Sequence, residues 1–191
     1  MVNQQGAKVI RRSFLMLVGS AMLLSACGFK LRGQQDYAFK RLYIAGGPPA
    51  AAARLTRLVE GGSDTKIVKS PDDADAVLNL AEAQSQGTLT LDRYGTVQEY
   101  QLNYTLNYTL LGKDGTALIP PSVIALNRAM TYSAQYTNAK SQEAEILYAD
   151  MRNDAIDQLM RRLAIVRTLH PEPGQGVPAV WPRAPLPPPP L

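Results

Sequence analysis

Cys27 is the only cysteine and His170 the only histidine among the 191 residues. One of each leaves no disulfide framework and no Cys/His metal cluster. His170 stands beside Pro171 at the head of a proline-rich stretch, a poor position for a general base. Neither a G-x-S-x-G elbow nor a glycine-rich phosphate loop occurs. Asp72, Asp73 and Asp75 cluster after Pro71, but the glycine and distal glutamate of an EF-hand loop are missing, so they read as a solvated turn. The chain is not expected to be an enzyme, and no metal and no cofactor are expected beyond a covalent lipid at Cys27.

The case for that lipid rests on what precedes Cys27. Lys8, Arg11 and Arg12 lead into an apolar run over residues 14–24, broken only by Gly19 and Ser20, with no acidic residue before the cysteine. This is the layout of an export signal, too short to span a membrane. It ends in Leu24-Ser25-Ala26-Cys27, an aliphatic and two small residues before a cysteine, as in the bacterial lipobox. Residues 1–26 are therefore expected to be removed and Cys27 to be lipidated, tethering the chain to a membrane. Arg11-Arg12-Ser13-Phe14-Leu15 also resembles a twin-arginine signal, although an ordinary basic leader is the favoured reading. The 20 Lys and Arg of the precursor face 16 Asp and Glu, and three of the cations lie in the leader. The remaining chain is nearly neutral, which gives no reason to expect nucleic acid. An anionic partner would have to be met by a local patch.

Three cations are candidates for that patch. Arg93, with Tyr94, sits at a turn closed by Gly95; Arg128 lies within a strand; Lys140 stands where the last helix begins. Singly, each reads as a solvated side chain. Together they can bind phosphate groups through charge-assisted hydrogen bonds. The polar side of the strand over residues 100–111 is a second candidate surface.

The elements that must position these groups follow from periodicity. A first strand at residues 40–45 ends at Gly46-Gly47, and Pro48-Pro49 open a helix over residues 50–60, with Ala51, Leu55, Leu58 and Val59 on one face. Strands follow at residues 65–69 and 74–86. In residues 101–110, Leu102, Tyr104, Leu106, Tyr108 and Leu110 alternate with Gln, Asn and Thr, the pattern of a strand with one apolar and one polar face. Asp114-Gly115 marks a hairpin, and a further strand over residues 122–136 returns after Pro120-Pro121. A long helix over residues 141–166 carries Ala144, Leu147, Met151, Ala155, Leu159, Leu163 and Val166 as its apolar stripe. Its first turn would hold Glu143 and Glu145 and its end Arg161 and Arg162. From His170 onward lie nine of the 14 prolines, read as an extended, disordered tail. The expected fold is an α/β (α+β) two-layer sandwich, with two helices on one face of a mixed, largely antiparallel sheet of about four strands. The expected organisation is a signal over residues 1–26, a lipidated linker over 27–39, a domain over 40–168 and a tail over 169–191.

Three stretches, in order, resemble the LPS-assembly lipoprotein family, LptE: Cys27-Gly28-Phe29-Lys30-Leu31-Arg32-Gly33, Glu99-Tyr100-Gln101, and Ala155-Ile156-Asp157-Gln158-Leu159-Met160-Arg161-Arg162-Leu163. The resemblance ends near Val166 and leaves the proline-rich tail uncovered. It implies a non-enzymatic lipoprotein of the cell outer membrane that plugs the LptD β-barrel in a 1:1 complex, helps it assemble, and binds lipopolysaccharide on its way to the outer leaflet. In the family, lipopolysaccharide contact is associated with basic positions that fall on Arg93 and Lys140. Gly28 rather than aspartate after the lipidated cysteine agrees with outer-membrane delivery. The competing expectation is a periplasm-facing lipoprotein that shares the fold and binds another anionic glycan or protein partner.

Overall fold

A computed structural model of the chain describes residues 35–172 and 176–182. Cys27, the leader and the linker motif lie outside the described residues. Among those described, five strands and two α-helices run in the order β1 (Arg41–Gly46), α1 (Pro49–Gly62), β2 (Lys66–Ile67), β3 (Ala76–Leu91), β4 (Val97–Gly112), β5 (Ala117–Thr131) and α2 (Thr137–Leu163). The sheet order is β2-β1-β3-β4-β5. β1 runs parallel to β2 and β3, while β3, β4 and β5 form an antiparallel meander. The two-layer α+β fold read from the pattern is the one found. The sheet has five strands rather than about four, because the two-residue β2 pairs with Arg41 and Leu42.

Leu102, Tyr104, Leu106, Tyr108 and Leu110 of β4 are buried beneath the helices. They meet Ala51, Leu55 and Val59 of α1, Met151, Ala155, Ile156, Leu159 and Leu163 of α2, and Leu42, Ala76 and Leu78 of the sheet in one core. Burying an aliphatic side chain of this size contributes about 1.5–3 kcal/mol. The period-2 alternation works because it lets one strand present oil to the helices and amides to the opposite, uncovered face.

Several boundaries depart from the periodicity. β3 continues to Leu91 because it remains paired to β4 up to Val97, through register shifts between Thr88 and Leu91. β5 starts before Pro120-Pro121 instead of after them. As the outer strand it can carry residues without an N–H, and a register shift between Tyr108 and Leu110 absorbs the extra residue. At the end of β5, residues 134–136 form a 3₁₀ turn that leads straight into α2 at Thr137. The helix thus begins a turn earlier than expected, and Glu143 and Glu145 fall outside its first turn. Arg161 and Arg162 do occupy the last turn, against the negative end of the helix dipole.

The proline-rich segment requires the largest correction. Val177 is buried against the core, the Val123 N–H of β5 donates to the Val180 carbonyl at 2.7 Å, and the Val180 N–H donates to Ser122 Oγ at 3.1 Å. Residues 176–182 form no regular secondary structure, yet they pack along the outer edge of β5. Asp75 departs from its solvated-turn reading as well. Its carboxylate accepts the N–H groups of Lys40 (3.1 Å) and Arg41 (2.9 Å) and the Arg41 guanidinium (2.8 Å), anchoring the start of β1. Desolvation opposes ionisation of Asp75, but these donors outweigh it and hold its pKa below the ordinary range. No helix of the described residues is long and apolar enough to cross a membrane.

Candidate functional site

The three candidate cations come to the same end of the sheet, where the β3–β4 hairpin turns, β5 finishes and α2 begins. Their surroundings differ. Arg93 sits at the hairpin tip, on a turn that the Asp92 carboxylate organises by accepting the N–H groups of Tyr94 (2.7 Å) and Thr96 (2.9 Å). Gly95, with φ of +80°, closes the turn in a conformation that favours glycine. The Arg93 guanidinium lies 5.0 Å from the centroid of the Tyr94 ring, a cation–π contact. None of the ion pairs among the described residues includes Arg93. Leu89, Leu91 and Tyr94 are all exposed here, Tyr94 at 78%. The tip therefore joins a cation without an acidic partner to an apolar surface, the two properties needed by a ligand with an anionic head and hydrocarbon chains.

Lys140 Nζ donates to Glu143 Oε2 at 2.8 Å and to Thr131 Oγ1 at 3.0 Å. It ties the first turns of α2 to the end of β5, and its charge is already matched. It can serve an anion only in competition with Glu143. Arg128 faces the helices, opposite Leu102 in the β4–β5 register, and pairs with Asp154 of α2 at 2.9 Å. Its partner and its place between sheet and helix make it a clamp rather than an open anion site.

Sequence reasoning missed a second polar cluster. Arg152 of α2 grips Glu82 of β3 through two hydrogen bonds, Nε to Oε2 at 2.9 Å and a terminal guanidinium nitrogen to Oε1 at 2.8 Å. Tyr104 Oη and Gln84 Nε2 also donate to this carboxylate, at 2.9 and 2.6 Å. The Glu82 side chain is only 9% exposed. Burial alone would raise its pKa, but the donors and the Arg152 charge outweigh that effect and lower it. Tyr104 is pushed well above the ordinary phenol range, first by burial and then by its bond to Glu82. Tyr148 adds a bond from its Oη to the Ser85 carbonyl at 2.8 Å. These contacts fasten α2 to the root of the hairpin arm, so that its tip projects beyond the helix layer. The only cue in the sequence was polar residues, Glu82 and Gln84, at positions that β3 turns toward the helices.

The sequence model of the family described as "LptE: Lipopolysaccharide-assembly" matches residues 39–163. A protein of Yersinia enterocolitica named LPS-assembly lipoprotein LptE is 32% identical over 81% of this chain and 77% of its own length. One of the same name from Pectobacterium atrosepticum is 30% identical over 81% of this chain and 86% of its own. Among solved structures, an uncharacterised lipoprotein B from Nitrosomonas europaea superposes with a TM-score of 0.61 at 30% identity, covering 72% of this chain and 90% of that one. The rare lipoprotein B of Shewanella oneidensis gives 0.53 at 28% identity, covering 65% and 93%.

Proposed function

Since the chain belongs to the LptE lipopolysaccharide-assembly family, we propose that it acts in the assembly of lipopolysaccharide as a lipid-anchored, non-enzymatic subunit at the cell outer membrane. In this reading the export signal is removed and Cys27 carries the lipid. The folded domain sits as a plug in the LptD β-barrel, a lumen whose polar, wet wall suits a domain with an uncovered amide-rich sheet face. The hairpin tip meets lipopolysaccharide during its passage.

The observation that carries this reading is the tip itself. Arg93 has no carboxylate partner among the described residues and is flanked by exposed Leu89, Leu91 and Tyr94. A phosphate on the glycolipid would gain a charge-assisted hydrogen bond from Arg93, and its acyl chains would cover the apolar residues. Lys140 is a weaker contributor, because binding there means displacing Glu143. Arg128 is retained by Asp154 and contributes to the fold instead.

The test is direct. The full lipoprotein, in mild detergent, is titrated with purified lipopolysaccharide. Arg93→Glu is expected to weaken binding by about tenfold or more, the scale of one lost charge-assisted bond plus new repulsion. Lys140→Glu is expected to weaken it less. Unaltered binding by Arg93→Glu removes the tip from the site. Purification of the wild-type lipoprotein from native membranes without a large β-barrel protein removes the plug role.

A further inference from the structure

The sheet has two long margins, and the fold treats them differently. The outer margin of β5 is partly covered by residues 176–182, through Val123 and Val180. On the other side, β1 pairs with β3 only as far as Leu80, opposite Gly46. Beyond it, residues 81–91 of β3 are paired to β4 alone.

The direction of the backbone groups along this stretch follows from alternation in antiparallel ladders. Val123 points its N–H outward to Val180, and it lies opposite Asn107. Asn107 therefore bonds toward β3, where it meets Ala81. Ala81, Ala83 and Ser85 accordingly bond to β4, and Glu82, Gln84 and Gln86 turn their N–H and C=O groups outward. The Gly46 contact agrees. A Cβ on Gly46 would come within 2.5 Å of the Leu80 carbonyl oxygen, as an outward-turned even residue requires.

Proteins usually blunt such an edge with lysine, proline or a covering segment. Residues 81–88, Ala-Glu-Ala-Gln-Ser-Gln-Gly-Thr, contain neither lysine nor proline, and their one charge, Glu82, is held by Arg152. At the foot of the edge, Gly47, Pro48, Leu80, Ala81, Glu82 and Gln84 line an open groove of about 540 Å³ that continues the line of β1. We infer that the β3 edge from Glu82 to Gln86 is a docking site for a short extended segment of another protein, which adds to the sheet as a strand end to end with β1.

The chemistry of that segment is set by its neighbours. It is about five residues long and free of proline wherever its N–H must face β3. Its side chains beside Ala81, Ala83 and Ser85 are uncharged, and one apolar side chain enters the groove by Pro48 and Leu80. The chain's own residues 183–191 are excluded as occupant, because five of them are proline. A second copy is excluded by topology. If two β3 edges paired antiparallel around Gln84, residue 88 of the second copy would fall beside Leu80, where Gly46 already lies. A register centred on Gly87 or beyond avoids that collision, but it must run through the bulge between Thr88 and Leu91, where the ladder is irregular. The inference does not depend on the lipopolysaccharide contact at the tip.

Two measurements test it. Hydrogen exchange compares the lipoprotein purified from native membranes, with the protein that accompanies it, against the lipoprotein overproduced alone. The Glu82, Gln84 and Gln86 amides are expected to exchange at least about tenfold more slowly in the former. A photoreactive benzoylphenylalanine in place of Ala83, in cells, is expected to yield an adduct whose mass maps to one extended segment of a different protein. The adduct should disappear in Gln84→Pro, which removes an outward N–H and leaves the β4 ladder intact. Unchanged exchange, an adduct with a second copy, or an adduct that survives Gln84→Pro overturns the inference, and the exchange arm needs no variant that could misfold. If a β-barrel protein accompanies the wild-type lipoprotein and the Glu82, Gln84 and Gln86 amides are still unprotected, the plug reading stands and this one falls.

Discussion

Between Ala76 and Leu80, strand β3 has a neighbour on each side, and its helix-facing residues Ala76, Leu78 and Leu80 are buried. From Glu82 onward it has one neighbour, and the same face carries Glu82, Gln84, Gln86 and Thr88. One continuous strand thus passes from a closed hydrophobic foot to an arm held by polar contacts. The difference separates stability from contact chemistry. The foot gains its free energy from area removed from water, whereas the arm depends on a few directional bonds and ends in a tip free to meet something else.

That division can be broken or sharpened by substitution. Leu110→Ala, in the foot opposite Leu78, is expected to cost about 3–5 kcal/mol through lost burial and the cavity it leaves, read as a fall in the denaturant midpoint. Arg152→Met, at the root of the arm, is expected to cost about 3 kcal/mol because Glu82 is left without its cation in a buried site. If Arg152→Met proves neutral, the arm does not rely on the pair and the distinction between the regions fails. Deleting residues 173–191 is expected to cost about 1–2 kcal/mol, from the burial of Val177 and the pairing of Val180, and to speed exchange of the Val123 amide.

The pH dependence resolves the same contrast. Glu82 and Asp75 both have folded-state pKa values below their ordinary values. A carboxyl lowered in this way contributes stability that is complete above the ordinary carboxylate range, and loses it as pH falls through the lowered value. The melting temperature is therefore expected to stay level in mildly acidic buffer and to drop under more acidic conditions. Glu82→Gln should flatten part of that drop. The smallest expected change is that of Arg93→Ala, within about 0.5 kcal/mol of the parent stability, since the tip packs against nothing that holds the fold. A larger loss would show that the tip is part of the stabilising structure.

Much of the foot was legible in the residues. Alternation over Leu102 to Leu110 revealed β4 and its buried face, and the spacing of Ala144, Met151, Ala155 and Leu159 revealed the helix that covers it. The exposed turn around Arg93 was legible too, because Gly95 marks it locally. Arg128 and Lys140 shared its basic character; Glu143 lies one helical turn from Lys140, a local pair, whereas nothing local shows that Asp154 occupies Arg128. The Arg152–Glu82 bond joins residues 70 positions apart, and Arg54 reaches Asp157 across 103. Composition marked residues 176–182 as outside the regular elements but could not reveal that β5 offers them an edge.

The sequence by itself determined the order of most of its elements and the faces those elements bury. Each is set within one or two turns of chain by side-chain size, charge and periodicity. Only the tertiary structure decided which cations are neutralised, which sheet edge is covered and which stays open. Those depend on where distant elements land. An ion pair or a ladder bond forms only when packing has brought both partners within about 3 Å.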